Sequence, residues 1–389
     1  MFVTPLLKLM ADKQASDMFF TAGAPIQIKI NGTVMPINSQ LLDPEQVKKI
    51  CYELMTELQI KEFEQKHEMN FAQGGGEMGN FRINIFRQKN TVAMVIRFVK
   101  PDVPALDSLN LPPVLKEVIM EKLGLILIVG STGSGKSTTM ASMIDYRSAL
   151  TSGHILTIED PIEFIFKHRK SIVNQREVRV DTHSYDNALI SAMREAPDVL
   201  MVGEIRDRET LQSSLLFAQT GHLCMSTLHA NNSYNALNRI IGFFPRDARE
   251  SLLADLAIAL RCVISQRLVK TVDGKRVAAV EVLLNTKHIQ ELIKGGEISQ
   301  IKEAIEKSLS PGSQTFEQAL FDLYRSGRIS MEEALASADS PTNLHWLISN
   351  ATKGGGVPKA PPPGGDMATA NAAAADDLSS IKLNLDALG

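Results

Sequence analysis

The sequence predicts an α/β protein of two domains, a smaller mixed α/β domain followed by a wound α/β domain. Its 389 residues exceed one typical domain and suffice for two hydrophobic cores. Strand-like segments of the first hundred residues alternate apolar with polar side chains, whereas those farther along are continuously apolar. Continuous apolar strands indicate a sheet that is covered on both faces, so the two parts of the chain should differ in architecture.

Strands of the first domain, residues 1–99, are predicted from period-two patterns. Isoleucines alternate with polar residues at 26–30, Asn31-Gly32 offers the positive-φ pair of a type I′ turn, and a strand returns at 34–37. The glycines of 74–76 mark another turn. In the strand that follows, two sets of side chains should lie on opposite faces: Phe81, Ile83 and Ile85 on one, Arg82 and Asn84 on the other.

A helix is predicted to begin after Asp43. Asp43 suits an N-cap, Pro44 suits the first helical position, and Gln46 stands where a capping box places its amide. Residues 100–113 are predicted to be an extended linker, because proline disfavours helix both at its own position and at the residue before it. The linker prolines are Pro101, Pro104, Pro112 and Pro113.

The second domain, residues 114–350, is predicted to alternate buried strands with helices. A helix from Val114 leads to an apolar strand at Leu123–Val129, then to a glycine-rich loop and another helix. Further buried strands are predicted at 155–158, 199–202, 223–226 and 262–269.

Residues 351–389 are predicted to be a disordered tail, because Gly, Pro and Ala dominate 353–377 and cannot offset the entropy of ordering. Ile381, Leu383 and Leu385 alternate near the end, which leaves open a strand that docks on a partner's sheet edge.

Composition restricts the classes of function. A net charge of -3 gives no general attraction to nucleic acid or to anionic membranes. The three cysteines lie far apart without a Cys-x-x-Cys pair, so neither a thiolate zinc site nor a disulfide framework is indicated, and they are interpreted as small core residues. With neither a signal peptide nor a membrane-spanning run in the sequence, a cytoplasmic protein is expected.

The glycine-rich loop Gly130–Ser137 matches G-x-x-x-x-G-K-[ST] in full, between a buried strand and a helix. Its backbone N–H groups would surround a phosphate, Lys136 would reach the β- and γ-oxygens, and Ser137 would give its hydroxyl to Mg²⁺. The pattern predicts binding and hydrolysis of ATP with Mg²⁺. The predicted ATP-binding residues of this segment are Gly130, Ser131, Thr132, Gly133, Ser134, Gly135, Lys136, Ser137 and Thr138.

Three further segments place polar groups at strand ends, where wound α/β domains bind ligands. Glu204 follows the apolar strand 199–202 and is predicted to hold Mg²⁺ or to orient the attacking water. Thr157–Glu163 clusters three carboxylates, which are either catalytic or merely a solvated acidic turn. His222 and His229 flank a short apolar strand, and their spacing is poor for a shared zinc site.

Taken together, these segments resemble the hexameric secretion ATPases of type II secretion and type IV pili, over nearly the whole chain up to the tail. Thr157–Glu163 resembles that family's Asp box, Asp198–Asp207 its Walker B strand, and Thr220–His229 its His box. Within the family the chain looks most like the pilus retraction ATPases, on the basis of Ala15-Ser16-Asp17 and Gln314–Ser330. Asp17–Phe20 and Ala338–Pro341 look closer to the accessory (PilU-type) branch than to the principal (PilT-type) motor. The stretch Ile289–Lys294 departs from the helix that the principal motor usually has at this place.

The resemblance implies a RecA-like P-loop NTPase domain with a smaller N-terminal PAS-like α/β domain. It further implies Glu163 as the catalytic carboxylate, Glu204 as the Walker B acid and His229 as a sensor of the γ-phosphate. Arginines of the N-terminal domain should reach the nucleotide, the candidates being Arg82, Arg87 and Arg97.

The partners that the resemblance implies are five more copies of the chain in a homo-hexamer and an inner-membrane pilus platform protein. It also allows the principal retraction ATPase as a partner, and places the protein in the cytoplasm, peripherally at the inner membrane. The expected function is ATP-driven pilus retraction and twitching motility.

Three alternatives stay open at the level of sequence. An assembly or secretion ATPase of the same fold is disfavoured, because those proteins usually carry a tetracysteine insertion that is missing here. A RecA-like nucleic-acid translocase would be stimulated by single-stranded DNA in a salt-dependent way. A nucleotide-binding adaptor of a sister motor would support retraction without its own hydrolysis.

Overall fold

A computed structural model describes residues 2–30, 32–74, 79–99, 102–308 and 310–352. The chain divides into two compact units, the first ending at Asp102 and the second starting at Val103. The segment Glu163–Ile165 groups with the first unit. The predicted tail at 353–389, Asn31 of the predicted turn and residues 75–76 of the glycine cluster lie outside the described residues.

The first unit is a six-stranded antiparallel sheet with helices, in the strand order β3-β2-β1-β6-β5-β4. Its core joins side chains of the first two helices to one face of the sheet, including Leu6, Ile50, Met18 and Phe20. The elements in chain order are α1 (Thr4–Asp12), β1 (Asp17–Thr21), β2 (Gln27–Ile30), β3 (Thr33–Pro36), α2 (Pro44–Leu54), α3 (Glu57–Lys66), β4 (Glu68–Gly74), β5 (Asn80–Gln88) and β6 (Thr91–Val99).

Local predictions for this unit are confirmed at the level of hydrogen bonds. The carboxylate of Asp43 accepts the N–H of Gln46 at 2.8 Å, and the Gln46 side chain accepts the N–H of Asp43 at 3.0 Å, which forms the predicted capping box. In β5 the predicted apolar face is buried, while Arg82 and Asn84 are only half-buried on the other face. Strands β2 and β3 pair across the predicted turn.

The second unit has a seven-stranded sheet in the order β13-β12-β7-β11-β10-β8-β9. All neighbouring pairs are parallel except β12 and β13, which are antiparallel. Strands β7, β10 and β11 are buried at every position, as their continuous apolar sequences predict. The strands are β7 (Gly124–Val129), β8 (Gly153–Glu159), β9 (Ser171–Glu177), β10 (Val199–Val202), β11 (Leu223–Leu228), β12 (Leu260–Lys270) and β13 (Arg276–Leu284).

Helices connect these strands and form the C-terminal part of the unit. The helices in chain order are α4 (Val114–Val118), α5 (Lys136–Leu150), α6 (Tyr185–Ala192), α7 (Arg208–Gln219), α8 (Ser233–Gly242), α9 (Arg249–Ala259), α10 (Lys287–Lys294), α11 (Ile301–Glu306), α12 (Phe316–Arg325), α13 (Met331–Ser337) and α14 (Pro341–Thr352). Short 3₁₀ helices add Leu106–Leu109, Arg246–Ala248 and Ile298–Gln300.

Residues 100–101 of the predicted extended linker lie outside the described residues, and the rest of it has structure of its own. A 3₁₀ helix spans Leu106–Leu109, and Leu106 is buried. The hydroxyl of Ser142 in α5 donates to the carbonyl of Pro104 at 2.7 Å. Proline-based reasoning missed this helix, because none of the residues Leu106–Leu109 is a proline or directly precedes one.

Candidate active site

The glycine-rich loop connects the carboxyl end of β7 to the amino end of α5. The ammonium of Lys136, the first residue of α5, donates to the carbonyls of Gly130 and Ser131, each at 2.9 Å. The Lys136 side chain is buried, with 9% of the residue exposed. The first turn of α5 also leaves its backbone N–H groups without helical acceptors, so positive charge is concentrated at the loop.

Glycines in this loop make room for Gln266 of the neighbouring strand β12. A Cβ atom on Gly130 would lie 2.5 Å from the Gln266 carbonyl oxygen, and one on Gly135 would lie 2.7 Å from its Nε2. The same side chain accepts the hydroxyl of Thr139 in α5 at 2.7 Å, within the core. Gln266 therefore supports the loop from behind, and the sequence pattern gave no signal for it.

The loop has the donor set that a phosphate requires. The hydroxyl of Ser134 is buried without a hydrogen-bond partner. Ser137 and Thr138 are half-buried in the first turn of α5. Backbone N–H groups, a lysine and an unsatisfied buried hydroxyl together suit the phosphates of a nucleotide.

Glu204 lies just beyond the carboxyl end of β10, and both its oxygens are paired. Its Oε1 lies 3.2 Å from Nε2 of His229, and its Oε2 accepts Nε of Arg206 at 2.8 Å. The carboxylate is 15% exposed, against 39% for the imidazole of His229. The predicted acid and the predicted sensor are thus in contact.

Strand order explains this contact. Strand β11, which ends just before His229, pairs with β10 on one side and with β7 on the other. Just beyond the end of β10, the Gly203 carbonyl accepts the hydroxyl of Thr227 in β11 at 2.6 Å, and the Ile205 N–H donates to the Thr227 carbonyl at 2.9 Å. Adjacent strands lie about 4.8 Å apart, and β10 is two strands away from β7. Glu204 therefore lies about 10 Å along the sheet from the start of the glycine-rich loop Gly130–Ser137, the phosphate loop.

The acidic segment at the end of β8 divides into three different environments. Glu159 is buried and accepts the Thr157 hydroxyl at 2.7 Å and the Gln175 amide at 3.1 Å. Asp160 pairs with Arg179 and lies 3.6 Å from Arg206, so it joins the charge network of Glu204. Glu163 is exposed and groups with the first unit.

A half-buried tyrosine, Tyr185 at the start of α6, borders this network. A Cβ atom on Gly203 would lie 2.9 Å from its hydroxyl oxygen. Burial raises the pKa of Tyr185, and the nearby charge of Asp160 raises it further, so the hydroxyl stays protonated. Sequence reasoning missed Tyr185, Arg179 and Arg206, because contacts between loops leave no local pattern.

The three candidate arginines of the first unit differ in their surroundings. Arg97 pairs with the buried Asp17 at 2.9 Å while 68% of its side chain stays exposed. Arg82 stands directly opposite Arg97 in the β5–β6 register. Arg87 donates to Glu64 and lies over the ring of Phe63, with 5.7 Å between its guanidinium carbon and the ring centroid.

His222 and His229 lie at opposite ends of β11. The ring of His222 contacts Phe217, and its Nδ1 lies 3.2 Å from the Thr220 hydroxyl. Within the described residues, no group of three or more His, Cys, Asp or Glu side chains is arranged to hold a metal ion. In the same part of the chain, no helix is both long and apolar enough to cross a membrane.

Comparison with known proteins identifies the family. The family model described as Type II/IV secretion system protein matches residues 1–294. The chain belongs to this family. The type IV pilus ATPase PilU of Pseudomonas aeruginosa is 48% identical over 344 residues, which are 88% of this chain and 90% of PilU.

Other members of the family support the same assignment. PilT of the same organism, named a type IV pilus retraction ATPase, is 40% identical over 88% of this chain and 100% of PilT. The crystal structure of the retraction motor PilT with bound ADP matches with a TM-score of 0.82, covering 88% of this chain and 99% of that one. The Legionella pneumophila ATPase DotB matches with a TM-score of 0.74 at 25% identity, covering 90% and 96%.

The chain is therefore an ATPase of the secretion superfamily, of the PilT and PilU type. The second unit is the RecA-like P-loop domain, and the first is the smaller N-terminal α/β domain.

Proposed function

We propose that this chain is a motor, or an accessory motor, that hydrolyses ATP to power type IV pilus retraction and twitching motility. The observation that carries the proposal is the Glu204–His229 contact at the same sheet edge as the phosphate loop. Identity of 48% to PilU and 40% to the PilT retraction ATPase supports the pilus as the target. A protein named as a twitching motility protein, from Neisseria gonorrhoeae, is 38% identical over 82% of this chain.

Nucleotide binding rests on the loop Gly130–Thr138. Lys136 would exchange its two carbonyl partners for the terminal phosphates, because charged phosphate oxygens accept hydrogen bonds more strongly than neutral carbonyls. The unpartnered Ser134 hydroxyl would gain an acceptor in the same step.

Magnesium fits the oxygen donors of this edge. Ser137 at the start of α5 and Glu204 beyond β10 offer a hydroxyl and a carboxylate, the hard ligands that Mg²⁺ prefers beside substrate phosphates. Bound Mg²⁺ would neutralise the charge that develops on the transferred phosphoryl group.

The remaining residues would act on water and on the γ-phosphate. Glu204 would orient the attacking water or hold the metal, Glu163 would accept a proton from water, and His229 would donate to the γ-phosphate. In the present arrangement Arg206 and His229 hold the Glu204 carboxylate in one orientation. A carboxylate that is already held in one orientation does not have to be oriented during the reaction, which lowers the activation barrier.

The assembly that we propose is a homo-hexamer, in which Arg82, Arg87 and Arg97 contribute to nucleotide contacts. The ring would work in the cytoplasm against an inner-membrane platform protein, peripherally at the pilus base. The principal retraction ATPase is a further candidate partner. No nucleic acid takes part in this proposal.

The deciding experiment compares Glu204→Gln with the wild type in a strain that lacks the chromosomal copy of this gene. ATP turnover of the purified protein and the frequency of pilus retraction are measured together. We expect both to fall by at least about 100-fold, the size of effect that a positioned catalytic carboxylate gives.

Glu209→Gln is the matched control, since Glu209 is an exposed carboxylate in the first turn of α7. It should leave turnover and retraction unchanged. Normal retraction by a Glu204→Gln protein that no longer hydrolyses ATP would overturn the motor and favour an adaptor.

A further inference from the structure

The loop that follows His229 is fastened to distant parts of the second unit. Three consecutive residues, Asn231, Asn232 and Ser233, each contact a side chain from another element. The Asn231 carbonyl accepts Nη2 of Arg267 at 3.1 Å, Nδ2 of Asn232 donates to Asp339 at 2.7 Å, and the Ser233 N–H donates to Glu281 at 2.8 Å. The segment is therefore held from three directions within four residues of His229.

Asn232 has two functions at this point. Its Oδ1 accepts the N–H of Asn235 at 3.1 Å and so caps helix α8, while its Nδ2 is committed to Asp339. The residue is 2% exposed, so neither hydrogen bond has water as an alternative partner. The position of the α8 cap is consequently coupled to the position of Asp339.

Asp339 belongs to the segment Ala338–Pro341, which leads from the end of α13 to the first residue of α14 and which the phosphate-site chemistry does not use. Its second oxygen binds Arg267, whose Nη1 donates to the Ser337 carbonyl at 2.7 Å. The guanidinium of Arg267 also lies over the ring of Phe316 in α12, 4.0 Å from its centroid. Asp339 and Arg267 thus connect the His229 loop to the C-terminal helices.

Ser340, the residue after Asp339, holds the segment Ala338–Pro341 from the other side. The N–H of Ser340 donates to Glu317 of α12 at 2.8 Å, and Glu317 also accepts Lys302 of α11 at 3.0 Å. Glu317 is 3% exposed. Asp339 is therefore anchored to a packed helical layer, and it has little freedom to follow an independent movement of the loop.

We propose that Asp339 is a positioning residue for ATP hydrolysis, which holds His229 against Glu204 through Asn232. His229 and Asn232 are three positions apart along the chain, a span of at most about 10 Å, so displacement of Asn232 moves the imidazole. At the other end, His229 contacts Glu204 at 3.2 Å. This inference rests on the proposed role of His229 in turnover.

A double-mutant cycle tests the inference with His229→Ala, Asp339→Ala and the combined variant. Asp339→Ala should lower kcat about 10-fold in the wild-type background and less than about twofold in the His229→Ala background, since coupled positions are non-additive. The KM for ATP should stay within about twofold, because the phosphate loop is untouched. A purely structural defect would lower the active fraction equally in both backgrounds.

Asp322→Asn is the control, since Asp322 is an exposed carboxylate of α12 whose side chain is 65% exposed. It should leave kcat unchanged. If Asp339→Ala does not fold, as judged by its thermal unfolding curve, the same cycle is run with Asp339→Asn. That variant keeps the shape of the side chain but has a single acceptor oxygen, so it cannot accept from both Asn232 and Arg267 as Asp339 does.

Additive effects of the two substitutions, or full kcat in Asp339→Ala, would overturn the inference. Unchanged turnover in His229→Ala would overturn it as well, together with the role of His229. The proposed ATPase function has its own readout in Lys136→Ala, which should abolish turnover. If Lys136→Ala abolishes turnover but the effects of His229→Ala and Asp339→Ala are additive, the role of Asp339 is wrong while the proposed ATPase function stands.

Discussion

Arg206 donates to the carboxylate of Glu204 at 2.8 Å while its Nη1 lies 3.6 Å from Asp160. One guanidinium therefore bridges the acids that follow two neighbouring parallel strands, β10 and β8. Hydrogen bonding to Glu204 and the charges of both acids raise the pKa of Arg206, although burial opposes this, so the bridge stays charged. This bridge fixes the orientation of the Glu204 carboxylate. It contributes little to the free energy of folding, because 54% of the arginine side chain is exposed.

We predict that Arg206→Ala lowers kcat by about 10-fold while the thermal unfolding midpoint changes little, since loss of orientation costs more than the exposed ion pair contributes. Turnover assays with saturating ATP and Mg²⁺ measure the first quantity, and differential scanning calorimetry the second. Arg194→Ala, at an exposed arginine after α6, is the control. Full activity of Arg206→Ala would contradict the bridging role.

A second prediction concerns two glycines of the phosphate loop. Gly133 and Gly135 both have positive φ, at 79° and 90°, so alanine is strained at either position. Only at Gly135 would the new Cβ meet a neighbour, Nε2 of Gln266 at 2.7 Å, whose movement would break the buried bond to Thr139. We expect Gly135→Ala to weaken nucleotide binding by at least about 10-fold more than Gly133→Ala, since a buried hydrogen bond is lost as well. Titration with a fluorescent ADP analogue measures the difference, and equal affinities would refute the packing argument.

Local patterns predicted much of the fold. The capping box at Asp43, the alternation in β5 and the buried strands of the second sheet are short-range features, and the structure confirms them. Strands β9 and β13, at the two edges of the sheet, escaped prediction: β9 is mostly polar, and Glu281 interrupts the apolar residues of β13. Edge strands carry mixed patterns because one side of their backbone has no strand neighbour.

The site was predictable only as far as each motif is contiguous. Lys136, Glu204 and His229 follow from short patterns, and the structure brings the last two together. Gln266 and Asp339 act from positions 127 and 107 residues away from their hydrogen-bond partners, and such contacts leave no mark on the local sequence. Tertiary packing, which a single sequence does not display, determines these contacts.

A third prediction separates a structural arginine from one that we propose to act on the nucleotide. Arg87 pairs with Glu64 and lies over Phe63, so Arg87→Ala should destabilise the first unit by about 1 kcal/mol. Arg82 stands opposite Arg97, and we propose that it acts on the nucleotide, so Arg82→Ala should lower ATP turnover more strongly than Arg87→Ala does. Thermal unfolding curves and ATP turnover are measured for both variants. Lower turnover in Arg87→Ala, together with lower stability in Arg82→Ala, would show that the two roles are exchanged.

A fourth prediction follows from Glu281, which is 2% exposed on β13. Burial raises its pKa, the hydrogen bonds from Ser233 and Ser265 oppose this, and the charge of Asp339 adds to it. The folded state therefore binds the proton more tightly than the unfolded state. The associated stability is complete below the ordinary pKa of 4.5 and is lost as pH rises through the folded pKa.

Glu281→Gln keeps an oxygen for both serines and carries no charge. Relative to the wild type, its free energy of unfolding should rise by about 1.4 kcal/mol for each pH unit between 4.5 and the raised pKa, and then level off. Urea unfolding at several pH values measures this difference. Glu332→Gln, at an exposed glutamate of α13, provides the control. A difference that shrinks with rising pH would contradict the sign.

The last prediction concerns the three cysteines, Cys51, Cys224 and Cys262, all of which are free and buried. Burial raises the pKa of the Cys51 and Cys224 thiols to about 12 and that of Cys262 as well. The thiolate is the reactive form, and at pH 8 a thiol of pKa 12 is ionised in only about one molecule in ten thousand.

The native protein should therefore consume no Ellman's reagent within minutes, whereas three thiols should react in guanidinium chloride. Leu58→Cys, at a position that is 75% exposed, should add one thiol that reacts in the native state. Rapid native labelling of the unsubstituted protein would show that a core strand or helix opens far more often than its burial implies.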